Sequence, residues 1–165
     1  MKRLTKRQAA RVALSAIVTL APAVPSAHHS FAMYDQSITY VFTGVLERIN
    51  PDGSHMQIVF VPLNDQRTAL VRDAEGKPAN WLVEMGGSAP SAREGITVDS
   101  FPRGTVFSVG LVPLRSGQRG GARVGGLVRC PAGKAPAAGK HCDSVEGVTS
   151  HGGGGLASPT GSWKP

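Results

Sequence analysis

The 165-residue chain predicts a mostly β domain: a small OB-like barrel of about five strands with one short helix and a disordered C-terminal tail. Three observations lead there. The 21 glycines and 12 prolines make turns frequent and disfavour long helices. Short runs of β-branched and aromatic residues alternate with those turns. Closing about five such strands into a barrel removes exposed edges, and one short helix suits that architecture. Aromatic residues make up only 5% of the chain, so the core is expected to lean on Val, Ile, Leu and Met.

The first strand is expected at Ile38 to Asn50, with Val41, Val45 and Ile49 on one face and Gly44 marking a bulge or sharp bend. Pro51-Asp52-Gly53 is a turn. His55 to Val61 follows as a strand, with Met56, Ile58 and Phe60 sharing a face that His55 does not share. Pro62 to Asp73 is a polar connection, and Ala74 to Lys77 a second turn. The third strand is Ala79 to Met85. Ser88 to Gly95 suits one helical turn, with Ser88 or Ser91 as cap and Gly95 as stop. Thr105 to Pro113 is the fourth strand, and Gly121 to Cys130 a fifth, weakened by Gly125-Gly126. Residues 150–165, rich in Gly, Ser and Pro, read as a flexible low-complexity tail.

Residues 1–27 read as a secretory signal peptide. Lys2, Arg3, Lys6, Arg7 and Arg11 make a basic n-region, Val12 to Leu20 is a short apolar run, and small residues with prolines extend to Ala27. The run is too short to span a bilayer, so no transmembrane anchor is expected after cleavage, although an uncleaved anchor is the rival. Cleavage sites after Ala23, Ser26 and Ala27 all compete. The barrel domain then covers 28–149, and the expected location is periplasmic or secreted. Removing the signal takes away five of 18 basic residues and none of 11 acidic ones. The net charge falls from +7 to 13 against 11, about +2, so nucleic-acid binding is not inferred. From Arg103 to Lys140 the chain keeps seven basic residues and no acid. That stretch reads as a solvated loop-rich surface, with an anionic lipid or polysaccharide partner as the alternative.

Cys130 and Cys142 are the only cysteines. An even pair this close, in an exported chain, predicts a disulfide around a loop that has little to pack. The rival, a metal pair with His141, matches no zinc spacing.

The chain resembles a family of small exported bacterial proteins of unknown function, whose mature chains open with Ala-His-His-Ser-Phe. The likeness begins with Ala27-His28-His29-Ser30-Phe31 and Tyr34-Asp35 and continues through Thr43-Gly44-Val45 and Asn50-Pro51. It resumes at Asp73 to Lys77, Asn80-Trp81 and Glu84, then runs through Gly87-Ser88, Arg93, Gly95, Thr97, Asp99-Ser100 and Gly104. The resemblance implies a periplasmic β-barrel without an established activity. Two departures stand out: Asp52-Gly53-Ser54 intervenes before His55, and Pro62 to Arg72 reads as an insertion.

The terminal histidines are the sharpest chemical feature. After a cut behind Ala27, His28 offers its amine and its imidazole to one metal ion, resembling the histidine brace of copper monooxygenases and of some periplasmic copper carriers. After a cut behind Ser26, the amine, two backbone amides and His29 make a square-planar copper or nickel site. His55, at a strand start after a turn, is the best further ligand. The alternative for His28 and His29 is a plain polar arm, and for His55 a surface position at a strand edge. Met33 and Met56 are soft donors, but Met56 is better placed in the core. Asp35, Glu47, Asp52, Glu84 and Asp99 have no pairing spacing, and no nucleophile elbow or phosphate-binding loop occurs. The expectation is therefore a non-enzymatic periplasmic binding domain, with copper at His28, His29 and His55. The alternative is a structural or protein-interaction module of the cell envelope without metal, partnered by an envelope protein.

Overall fold

The computed structural model describes residues 31–165. The expected signal peptide, His28 and His29 lie outside the described residues. Within them the chain forms β1 (Tyr40–Asn50), β2 (Gln57–Pro62), β3 (Trp81–Glu84), α1 (Ser88–Arg93), β4 (Val106–Pro113), β5 (Gly120–Arg129) and β6 (Thr149–Leu156). β1 lies antiparallel between β2 and β4, β2 pairs with β3, and β4 pairs with β5. A short parallel pairing of Leu82–Glu84 with Gly120–Ala122 joins β3 to β5 and closes the ring. The result is a closed five-stranded barrel with one short helix between β3 and β4, as the strand and turn pattern predicts. Closure pairs both edges of every strand in the ring, which leaves few ladder donors for water or another chain to take.

Alternation along the strands sends one residue in two to the core. Ile58 and Phe60 from β2, Trp81 and Val83 from β3, and Phe107, Val109 and Leu111 from β4 are all buried there. Ile96 and Phe101, just after α1, join the same core, and Phe101 meets Phe107 edge to face. In β1 the buried positions are Phe42, Thr43, Gly44 and Leu46, while Val41 and Val45 are only partly buried. The expected face of Val41, Val45 and Ile49 is therefore broken. A register shift between Leu46 and Arg48 turns Ile49 back against the core while Val41 and Val45 stay on the opposite side. Gly44 is not the bulge. Its place is set by close packing: a Cβ there would lie 2.5 Å from Cδ2 of Phe60 and 2.8 Å from the carbonyl oxygen of Val61.

The helix is capped by Gly87 rather than by a serine side chain. Ser88 instead donates through both its amide and its hydroxyl to the Asp52 carbonyl, at 2.8 and 2.7 Å. Gly95 ends the helix with φ of +79°, the left-handed stop its position predicted.

The low-complexity tail differs most from expectation. Residues 149–156 form β6, paired with β5 from Arg129↔Thr149 to Gly125↔Leu156. The ladder needs backbone, not side chains, and the glycines allow a close approach. A Cβ on Gly126 would lie 2.6 Å from the Gly154 carbonyl oxygen. Further on, Thr160 and Gly161 donate to the Thr39 carbonyl, and Trp163 packs on Phe42 and Trp81 with ring centroids 5.9 and 5.3 Å apart. Composition predicted too little apolar surface for order, but one tryptophan seated on an aromatic cluster supplies the anchor.

Cys130 and Cys142 are joined, with an S–S distance of 2.06 Å and Cα atoms 5.1 Å apart. The alternative of a metal pair with His141 is thereby closed. The disulfide and Val128 form a second, smaller core, flanked by Val106, Val145, Val148 and Leu156.

Candidate functional site

His55 and Glu84 meet at the ends of β2 and β3. Met56 and Met85, their inward-facing neighbours, extend the β2–β3 ladder: Met85 N–H donates to the Met56 carbonyl at 2.8 Å, and Met56 N–H to Gly86 at 3.2 Å. Alternation then turns His55 and Glu84 outward together. Nδ1 of His55 lies 3.1 Å from Oε1 of Glu84, with 32% and 22% of the two side chains exposed. The turn before His55 is held tightly. Asp52 accepts from the amides of Ser54 and His55, at 2.8 and 3.1 Å, and those two hydrogen bonds lower its carboxyl pKa. Gly87 must lack a side chain for this turn to sit on α1, because a Cβ would fall 2.0 Å from the Gly53 carbonyl oxygen. The three residues read as an intervening departure, Asp52-Gly53-Ser54, thus set where His55 stands.

Tyr34 supplies the third member. The segment after the 3-10 turn Phe31–Met33 runs beside the end of β4: Arg115 N–H donates to the Met33 carbonyl, and Asp35 N–H to Pro113. Tyr34 makes an isolated bridge with Leu114 and is only 4% exposed. Burial raises its phenol pKa, and Glu84 adds to the rise by its charge and by accepting from the hydroxyl. Glu84 therefore faces a phenol as well as an imidazole. Phe31 and Met33, by contrast, are exposed large hydrophobics.

The arrangement is a carboxylate that orients a histidine, with a neutral phenol beside it. A carboxylate on one ring nitrogen fixes the tautomer and ring direction of a metal-binding histidine. Among the described residues no group of three or more His, Cys, Asp or Glu side chains is placed to hold a metal ion. Of the sequence-derived ligands, His55 is present in this cluster, Met56 is buried in the core as expected, and Met33 lies exposed. Sequence spacing could not pair Glu84 with His55, since 29 positions separate them; the signal was that Tyr34 and Glu84 both belong to the set of residues that carries the family resemblance.

Two other histidines have defined surroundings. His151, 6% exposed, holds Nδ1 2.9 Å from the Glu94 carbonyl oxygen, while burial, then the nearby Arg129 and Arg123, lowers its pKa against the upward pull of that contact. His141 holds Nδ1 2.9 Å from Thr43 Oγ1, and burial with the charge of Arg67 lowers its pKa.

Searches of curated proteins and of solved structures gave no match to this chain. The model of a family of unknown function, DUF6152, matches residues 16–123, a span that contains Tyr34, His55 and Glu84 and stops before the disulfide loop and β6. The chain belongs to the DUF6152 family.

Proposed function

We propose that the protein is an exported, non-enzymatic binding domain of the periplasm that takes copper through His28, His29 and His55. The carrying observation is the His55–Glu84 pair beside Tyr34, because Tyr34 is where the amino-terminal segment docks. Tyr34 follows His29 by five positions and His28 by six. At roughly 3.3–3.6 Å per residue, an extended segment of that length reaches at most about 20 Å. The terminal nitrogens are thus within chain reach of His55.

The donor chemistry suits the ion. An amine and imidazoles are nitrogen ligands that favour Cu(II), and the Glu84 carboxylate on Nδ1 of His55 orients its ring. The disulfide supports an oxidising compartment.

Mass spectrometry of the exported protein defines the amino terminus; a start at Val24 removes both terminal-amine geometries and overturns the reading. Copper titration followed by EPR on correctly processed protein tests the ligands. His28→Ala is expected to abolish the nitrogen-rich signal if the chain starts at His28. Glu84→Gln is expected to weaken binding by about 10- to 100-fold through His55. Affinity no tighter than that of an ordinary histidine peptide refutes the proposal.

A further inference from the structure

On another part of the barrel, two loops far apart in sequence build a cleft. One follows β2, over residues 63–72; the other is the disulfide loop, 131–141. Gly139 N–H donates to the Asp65 carbonyl at 2.8 Å, and Arg67 Nε donates to the Lys140 carbonyl at 2.9 Å. With the segment at Gly161 to Lys164 they enclose about 430 Å³. Tyr40, Phe42 and Trp163 form its apolar wall, and Arg67 and His141 its polar one.

Arg67 has φ of 59°, the one positive φ of a non-glycine among the described residues. An arginine in the left-handed region is strained, and surrounding contacts must hold it there. Nε binds Lys140, and Nη1 donates to the Asn64 carbonyl at 2.9 Å. Of five N–H donors those bonds use two. Asp65 lies near enough to favour the charged form, yet the two make no ion pair among the described residues. A partly buried guanidinium is left with donors to spend.

His141 is aimed by a buried hydroxyl relay. Cys142 N–H donates to Ser108 Oγ at 2.9 Å; Ser108 Oγ is 2.8 Å from Thr43 Oγ1, which is 2.9 Å from His141 Nδ1. Each hydroxyl has one proton to give. When Ser108 gives its proton to Thr43 and Thr43 gives its own to Nδ1, the neutral imidazole carries its proton on Nε2; the opposite order of donation places it on Nδ1. In the first order the imidazole presents an N–H donor on its far edge. The disulfide helps to hold this relay, since Cys142 is one of its members.

We infer that this cleft binds a small organic carboxylate, its oxyanion held between the Arg67 guanidinium and His141 Nε2–H and its apolar body against Tyr40, Phe42 and Trp163. The apolar wall of Tyr40, Phe42 and Trp163 favours an anion with an organic body over inorganic phosphate. This inference does not rest on the copper reading.

Benzoate serves as probe for the full mature protein, with benzyl alcohol and inorganic phosphate as comparisons, followed by NMR shifts. Saturable benzoate shifts are expected at the Arg67 and His141 amides and at the Trp163 indole N–H, with benzyl alcohol and phosphate much weaker. Arg67→Gly suits the left-handed backbone and removes the guanidinium; it is expected to bind benzoate at least about tenfold more weakly with an unchanged melting temperature. Arg67→Gln repeats the test should the glycine variant not fold. No saturation by about 10 mM benzoate, equal binding of benzyl alcohol or phosphate, or undiminished binding by a folded Arg67 variant overturns the inference.

Discussion

Replacing both Cys130 and Cys142 with alanine isolates what the disulfide contributes. The two residues are 12 positions apart. In the chain-entropy model, closing a loop of that length removes about 2 plus 1.5R ln n cal/mol/K from the unfolded chain, close to 3 kcal/mol at room temperature. Both cysteines are also buried, against Val128, and the alanines leave small voids there. The loop they close contains Pro131, Gly133, Pro136 and Gly139 and few apolar residues, so packing offers little replacement. A loss of about 3 kcal/mol is a large share of the 5–15 kcal/mol typical of a domain. At about 2 cal/mol/K per residue of unfolding entropy, it lowers the melting temperature by roughly 10 °C. Urea and thermal unfolding of the oxidised wild type and the double variant measure this directly. The Cys142 amide, which donates to Ser108, is expected to lose hydrogen-exchange protection as well. A melting temperature within about 2 °C of wild type, with that amide still protected, refutes the view that the bond holds the loop in place.

Gly44→Ala is expected to cost about 1–3 kcal/mol in urea unfolding, because the new methyl meets the Phe60 ring and the Val61 carbonyl inside the barrel. Trp163→Ala is expected to cost about 2 kcal/mol and to raise hydrogen exchange at Thr160 and Gly161, whose amides donate to Thr39; wild-type stability and exchange in that variant speak against an anchored tail. Stability is expected to fall as pH is lowered from 7.5 to 5. His141 and His151 have folded pKa values below the ordinary 6.5, so below that pH the unfolded chain takes up protons that the folded chain does not. The slope is expected to shrink in His151→Asn, and a melting temperature independent of pH across that range contradicts both depressed values.

Local chemistry was enough for the strands, since the β-branched and aromatic runs Ile58-Val59-Phe60 and Trp81-Leu82-Val83 favour extended backbone whether both faces are buried, as in β2, or mainly one, as in β3. The inward register of β1 was not legible. Val41 and Phe42 are both good strand residues, and only the fit of Phe60 over Gly44 chooses between them. The site was legible in part. His55 could be picked out at a strand start, but its carboxylate partner comes from another strand and its phenol neighbour from before β1. His141 was legible only as a rival metal ligand beside the cysteines, and its nearness to Arg67 carried no signal, because it depends on two loops that approach only after the barrel closes.

The sequence by itself determined the class of fold, the short helix with its Gly95 stop, and the Cys130–Cys142 bond, because turn residues, period-2 patterning and close cysteine spacing act over a few positions. Only the tertiary structure decided that β3 closes on β5, that residues 149–156 become a sixth strand, and that Tyr34, His55 and Glu84 share one patch. Each of those depends on contacts between distant segments. Their free energy comes from backbone ladders and aromatic seating that composition alone cannot register.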